Sequence, residues 1–419
     1  MAWPKRRRLR SPQATWHHSR APGRSGGIDI HGGEPYRPFA PVPELAMPEP
    51  NDTPRRTALY DRHVAAGAEM IVADGWEMPR SYGDPAAECR QAHARAAVFD
   101  VSHVGRIRIR GDGGLDLLEH VCTGDVARQE DDTAVYTLLL NERGGIIDGG
   151  LLVRLATFWV LTCSPGRRAV VLEHLRAHAE RFGAKVDDQT PKTSMVLAVG
   201  PQAPGLLDAV LPATVSALPR GAVRAGSMLV ARYIAMRTGQ TRLWSLEVMI
   251  PHMLIGRAWD FVTAKAGANA IAPAGQAARE VLRIEAGLPR YGREIDESVD
   301  PVTAGLEAAV DFERDFLGAE AVRAVRERGP ERRRVGLIVA PDGPGPDDPP
   351  PPGAAVRGAN GAAIGSVTSA ACGAAGGATV AMAYVARSAA EPGSEVRVET
   401  GGAETPARVV ALPFRPDAP

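Results

Sequence analysis

Between Thr57 and Ala286 the apolar residues recur at two competing spacings, and each switch between them marks an element. In VGRIRIRG, Ile107 and Ile109 alternate with Arg106, Arg108 and Arg110. A period of two sends successive side chains to opposite faces, so this reads as a strand with one wet face carrying the arginines. VYTLLL (Val135 to Leu140), FWVLT (Phe158 to Thr162), MVLAV (Met195 to Val199) and MLVARYIAM (Met228 to Met236) are further β-rich runs. Helical spacing predicts helices over Tyr60 to Ile71, Ala86 to Ala97, Leu115 to Val121, the stretch RRAVVLEHLRAHAERFG, Gly256 to Lys265 and Gln276 to Ala286. Elements mixed in this order predict two α+β lobes over residues 55–329.

The two ends of the chain have a different texture. A tail from about Arg334, separated by DGPGPDDPPPPG, carries the short runs VGLIV, IGSVTS, TVAMAYV, EVRVET and RVVALPF with turn residues between them. That pattern predicts a small β-barrel or sandwich over residues 330–417. Residues 1–54 are rich in Arg and Pro with little apolar periodicity, so they read as a disordered leader. Pro4, Pro12 and Pro22 argue against an amphipathic transit helix, and Met47 stands just before the ordered part as an alternative start.

A chain of 419 residues exceeds the roughly 250–300 at which single cores stop growing, which agrees with several domains. Lys plus Arg and Asp plus Glu are equal at 49 each, so no global field recruits nucleic acid or an anionic membrane. No run of about 18 apolar residues exists to span a bilayer. Cys89, Cys122, Cys163 and Cys372 are widely spaced, which suits buried thiols in a reducing, cytoplasmic setting. The chain is expected to act as a monomer.

The simplest catalytic motifs are missing. His174 and His178 are four apart on a predicted helix, as a metal pair would be, but no third ligand lies nearby in sequence, so no metal is expected. GAAGGATV lacks the spacing of a dinucleotide fingerprint, and the SPG at Ser164 is not part of a GxSxG elbow.

What remains is a series of longer signatures: GWEMPRSYGD (Gly75 to Asp84), FDVSHVG (Phe99 to Gly105), NERGGIID (Asn141 to Asp148), RTG (Arg237 to Gly239), RIEAGLPRYGREIDE (Arg283 to Glu297), DFLG (Asp315 to Gly318) and ALPF (Ala411 to Phe414). In this order they resemble the T protein of the glycine cleavage system, a tetrahydrofolate-dependent aminomethyltransferase. The same superfamily includes folate-dependent demethylases and the folate domains of dimethylglycine and sarcosine oxidases. The resemblance implies a three-domain cloverleaf, two α+β lobes around a folate channel plus the C-terminal β-barrel. It implies tetrahydrofolate as the cofactor and an aminomethylated lipoyl carrier protein, or a small one-carbon donor, as the partner.

It also implies site residues. Glu247 stands at the family's pterin-binding position, where a carboxylate can accept from an amino group and a ring N–H side by side. Tyr136 matches an aromatic residue near the folate, and Arg279 a folate-site arginine. Thr162, Gln240 and Val104 stand where the family has an Asn, a Tyr and a Met. The largest departure is in GGIIDG, where Gly149 replaces the family's catalytic second Asp. Asp148 is the remaining candidate acid. On a regular strand it faces away from the Gly149 side, whereas a bulge at the two glycines would turn it inward. Three functions follow: aminomethyl transfer to tetrahydrofolate, a divergent demethylase or methyltransferase acting on a small methylated amine, ether or sulfonium, or folate binding without chemistry.

Overall fold

The computed structural model describes residues 53–209, 211, 213–228, 231–265, 271–343, 345–346, 348–372 and 378–414. The expected leader lies outside them apart from Thr53 and Pro54. Mixed α/β domains are followed by a closed β-barrel.

The first lobe is built on a six-stranded sheet in the order Val223–Met228, Ala231–Met236, Ser245–Pro251, Thr193–Val199, Ala97–Asp100, Ala272–Pro273. Along Ser245–Pro251 the period of two separates the two faces. Leu246, Val248 and Ile250 pack with Ile255 and Trp259 of helix His252–Lys265. Met249, on the other face, joins a core with Cys89 and Ala92 of helix Pro85–Ala94 and Ala278 and Leu282 of helix Gln276–Glu285. Glu247 lies on that second face.

The second lobe has a five-stranded sheet in the order Thr133–Leu140, Ile146–Leu155, Phe158–Cys163, Gly105–Arg110, Lys185–Asp188. Helices Gly114–Val121 and Arg168–Phe182 cover one face through Leu117, Leu118, Val171 and Leu175. Between Thr133–Leu140 and Ile146–Leu155 the register shifts, with Leu139 opposite Asp148 and Leu140 opposite Ile146. Ile147 is the extra residue of this bulge. The bulge thus precedes Asp148 and leaves Asp148 and Gly149 on opposite faces.

The tail closes into a six-stranded barrel in the order Arg332–Val339, Thr379–Ala386, Ala363–Cys372, Ala355–Arg357, Glu395–Thr400, Ala403–Val410. The Pro-rich stretch lies between strands Arg332–Val339 and Ala355–Arg357, inside the barrel's span of sequence. A polar bridge fastens it to the first lobe: the Arg283 guanidinium donates to Glu294 Oε2 at 2.9 Å and to Ser369 Oγ at 2.7 Å, while Ser369 donates to Glu294 Oε1 at 2.6 Å. The Tyr384 hydroxyl donates to the Glu294 carbonyl at 2.8 Å. Ser369 follows a register shift in its strand, which turns it toward Arg283.

Four sequence expectations change. The helix expected over Tyr60 to Ile71 ends at Ala65, because Gly67 takes φ of 76° and stops it. Glu69–Ala73 then pairs antiparallel with Trp76–Ser81. The run Met228 to Met236 is two antiparallel strands with Met228 opposite Ala231. Arg106 does not face water. Its guanidinium is fully buried and donates to the carbonyls of Ser102, Val104, Thr190 and Thr193 and to Thr193 Oγ1. Burial brings its pKa down to about 10. Finally, Cys89, Cys122 and Cys163 are buried and in no disulfide, but Cys372 is exposed.

Candidate functional site

Glu247 is the natural starting point, because a buried carboxylate needs partners. It is 5 % exposed, and its one hydrogen bond among the described residues is a long one from Thr238 Oγ1, at 3.4 Å. Arg279 projects from helix Gln276–Glu285, which covers the Glu247 face of the sheet, and donates to Gln276 Oε1 at 3.3 Å. Burial raises the Glu247 pKa and lowers that of Arg279, and each charge partly offsets the other's penalty. Among the described residues the two make no ion pair within 4.0 Å. The result is a buried anion and a half-buried cation in each other's field, neither neutralised by direct contact.

Other buried polar atoms of the first lobe lack partners. Ser245 lies two residues before Glu247 on the same strand and so on the same face. Its Oγ, Thr241 Oγ1 and His103 Nδ1 are buried with no hydrogen bond among the described residues. Burial, and then the charge of Arg279, pushes the His103 pKa down to about 3. Sequence reasoning missed these three, although the period of two was a signal for Ser245. Next to His103, Asp100 anchors a buried relay. It accepts from Thr57 Oγ1 at 2.7 Å, from the Ser102 N–H at 2.9 Å and pairs with His63 Nε2 at 3.1 Å, while His63 Nδ1 lies 2.6 Å from the Tyr82 hydroxyl.

The GGIIDGG segment resolves into three different roles. A Cβ built on Gly150 would stand 1.8 Å from the Thr162 carbonyl oxygen, so this glycine is what lets the two strands approach. Thr162 is used within the sheet, its Oγ1 accepting from the Leu151 N–H at 2.9 Å. Asp148 is 2 % exposed and both its oxygens are engaged: Ser164 donates its N–H at 2.7 Å and its hydroxyl at 2.8 Å. Burial raises its pKa to about 6 despite these bonds. Gly149 has ordinary negative backbone geometry, yet a Cβ there would fall 2.2 Å from Tyr136 Oη and 2.9 Å from Leu138 Cδ2. The tyrosine hydroxyl occupies the space that any side chain at 149 would need. Burial raises the Tyr136 pKa, and the Asp148 charge adds to the effect.

Val104 packs, half-buried, against the core that holds Cys89 and Leu282, and Gln240 is half-buried in the segment leading to Glu247. His174 and His178 do have a third imidazole beside them. The His120 ring lies 5.0 Å from that of His178, which in turn is 5.1 Å from His174. Burial and the neighbouring charges lower the His174 pKa to about 4.

Two mixed lobes and a closed barrel, with a buried Glu and a half-buried Arg facing each other across sheet and helix, define a class that comparison with known proteins makes explicit. The GCVT N-terminal domain matches residues 59–314, and the glycine cleavage T-protein C-terminal barrel domain matches residues 332–415. The chain belongs to the glycine cleavage T-protein family. An aminomethyltransferase of Streptomyces avermitilis is 34% identical over 371 residues, covering 87% of this chain and 98% of that protein. One of Moorella thermoacetica is 32% identical over 363 residues, covering 86% and 97%. The crystal structure of glycine cleavage system aminomethyltransferase T from Bartonella henselae superposes with a TM-score of 0.79 at 29% identity, covering 87% of this chain and 99% of that one.

Proposed function

We propose that this chain is a tetrahydrofolate-dependent one-carbon transferase of the aminomethyltransferase type, cytoplasmic, with an aminomethylated lipoyl carrier protein as donor. The observation that carries the reading is the under-satisfied Glu247 carboxylate opposite Arg279, with the unpartnered Ser245 hydroxyl on the same strand face and the unpartnered His103 nitrogen in the field of Arg279. A buried carboxylate with one long hydrogen bond is costly unless a ligand completes its set. A pterin does so with two adjacent N–H donors. Tetrahydrofolate supplies the nitrogens that receive the one-carbon unit. The chain's own contribution is to bind and orient it: Glu247 at the pterin edge, the Tyr136 ring at its flat face, and the Arg279 cation nearby.

A second reading is favoured by one specific feature. No carboxylate occupies position 149, and the neutral Tyr136 hydroxyl fills that volume. A donor that needs no acid there, such as a methylated amine, ether or sulfonium, suits this surface. Calorimetric titration with tetrahydrofolate tests what both readings share. Glu247→Gln should weaken binding roughly tenfold or more, about 1.5–3 kcal/mol for a hydrogen bond to a charged group. Equal affinities would remove Glu247 from the site. Turnover with the aminomethylated carrier, against a panel of methylated donors, then separates the two readings.

A further inference from the structure

Outside this site, one cluster brings together three side chains of metal-binding type. Cys89 and His93 lie four residues apart on helix Pro85–Ala94, hence on one face of it. Glu285 closes the facing helix Gln276–Glu285. One ligand atom from each lies within 4.8 Å of the other two, the tightest approach being His93 Nε2 to Glu285 Oε2 at 2.6 Å. Among the described residues no other group of three His, Cys, Asp or Glu residues converges in this way, the three histidines at 120, 174 and 178 included. Cys89 is fully buried and Glu285 is 4 % exposed, so this is not a chance gathering of surface acids.

We propose that Cys89, His93 and Glu285 form a binding site for a divalent transition metal, Zn²⁺ in particular. Thiolate, imidazole and carboxylate are the three donor types that zinc accepts, and a fourth position remains for water. Two donors about 2.1 Å from a tetrahedral ion stand roughly 3.4 Å apart. The His93–Glu285 contact must therefore open by less than about 1 Å, which rotation of either side chain provides. Two anionic donors, the Cys89 thiolate and the Glu285 carboxylate, would neutralise the two charges of Zn²⁺, so the occupied site leaves no net charge in a low dielectric. The bound metal clamps the end of the helix that carries Arg279 against its neighbour. The proposal does not depend on the folate reading.

The competing account is a plain interhelical pair between His93 and Glu285, and His93→Arg separates the two. Arginine sets a cation with several N–H donors opposite Glu285 but cannot ligate the ion. The test is to strip the full chain with a chelator, titrate it with Co²⁺ and Zn²⁺, and follow cobalt absorption, bound metal and melting temperature. One equivalent is expected to bind, with a thiolate-to-cobalt charge-transfer band and a raised melting temperature. His93→Arg should melt like the metal-free wild type, lose the band and bind at least ~10-fold more weakly, as should Cys89→Ser. Zinc X-ray absorption on the wild type needs no variant and should show one sulfur near 2.3 Å beside nitrogen or oxygen ligands near 2.0–2.1 Å. Absence of stoichiometric uptake, a first shell without sulfur, or uptake lost only on replacing His174 and His178 would each overturn the assignment.

Discussion

Replacing Gly149 by Asp looks at first like restoring a missing acid, but the Tyr136 hydroxyl makes it a packing experiment as well. A Cβ at 149 would begin 2.2 Å from Tyr136 Oη, where ordinary contact starts at 3.4 Å. The hydroxyl must retreat by about 1.2 Å, and the ring with it, since Cζ would stand at 2.9 Å. Overpacking of this size costs about 1–3 kcal/mol. Gly149→Ala isolates that cost without adding charge. In urea unfolding it should destabilise the wild type by that amount, and less in a Tyr136→Phe background, where the closest atom is gone. A coupling of about 0.5–1.5 kcal/mol is expected from the double-mutant cycle. Additivity within ~0.3–0.5 kcal/mol would refute the claim that Tyr136 fills the space at 149. The rate of methylenetetrahydrofolate formation extends the argument. Gly149→Asp alone displaces Tyr136 while supplying the acid, so Gly149→Asp/Tyr136→Phe should be the faster of the two. A wild type turning over at ~1 s⁻¹ or more would show that the reaction needs no acid at 149.

Three further outcomes follow from the buried polar groups and the ends. Asp148 has a folded pKa of about 6, above its ordinary 3.8, so the stability it contributes is full below about 3.8 and is lost as pH rises through about 6. The wild type should therefore lose stability relative to Asp148→Asn across that window, by at most ~3 kcal/mol, and parallel stability curves would contradict this. Arg106→Met should cost about 3–5 kcal/mol in chemical denaturation, because it strands four carbonyl oxygens that the guanidinium now satisfies; a loss under ~1 kcal/mol would mean that water replaces it. A chain beginning at Met47 should melt where the full chain does, and a fall of several degrees would show that the Arg- and Pro-rich leader packs.

The fold was legible wherever local patterning and tertiary environment agree. The short runs EVRVET and TVAMAYV, set off by turn residues, announced barrel strands, and the order of GWEMPRSYGD, FDVSHVG and RIEAGLPRYGREIDE announced the family. The alternation at Arg106 pointed outward because sequence cannot show that Thr190 and Thr193, over eighty residues away, supply carbonyls for a buried guanidinium. Helical spacing over Tyr60 to Ile71 suggested one continuous helix, while Gly67 held the stop signal. In the candidate site, Glu247 and Arg279 were nominated by resemblance. The unpartnered Ser245 and Thr241 hydroxyls, the His120 ring beside His178 and the Tyr136 hydroxyl over Gly149 depend on distances between segments that no local spacing encodes.

The bridge from Arg283 to Glu294 and Ser369 bears on how this architecture can be inherited. The barrel looks like an exchangeable cassette, since its boundary near residue 330 is easy to see in the sequence. Yet Arg283 belongs to the helix that carries Arg279, and its guanidinium ends on a barrel hydroxyl. That charge keeps its ion pairs with Glu280 and Glu294, but a barrel borrowed from a relative would leave the guanidinium one hydrogen bond short unless it offered a hydroxyl in the same place. Recombination at the visible boundary therefore carries a cost at the candidate site itself, and exchange of this module is expected to succeed only among relatives that keep the hydroxyl of Ser369 together with Arg283 and Glu294.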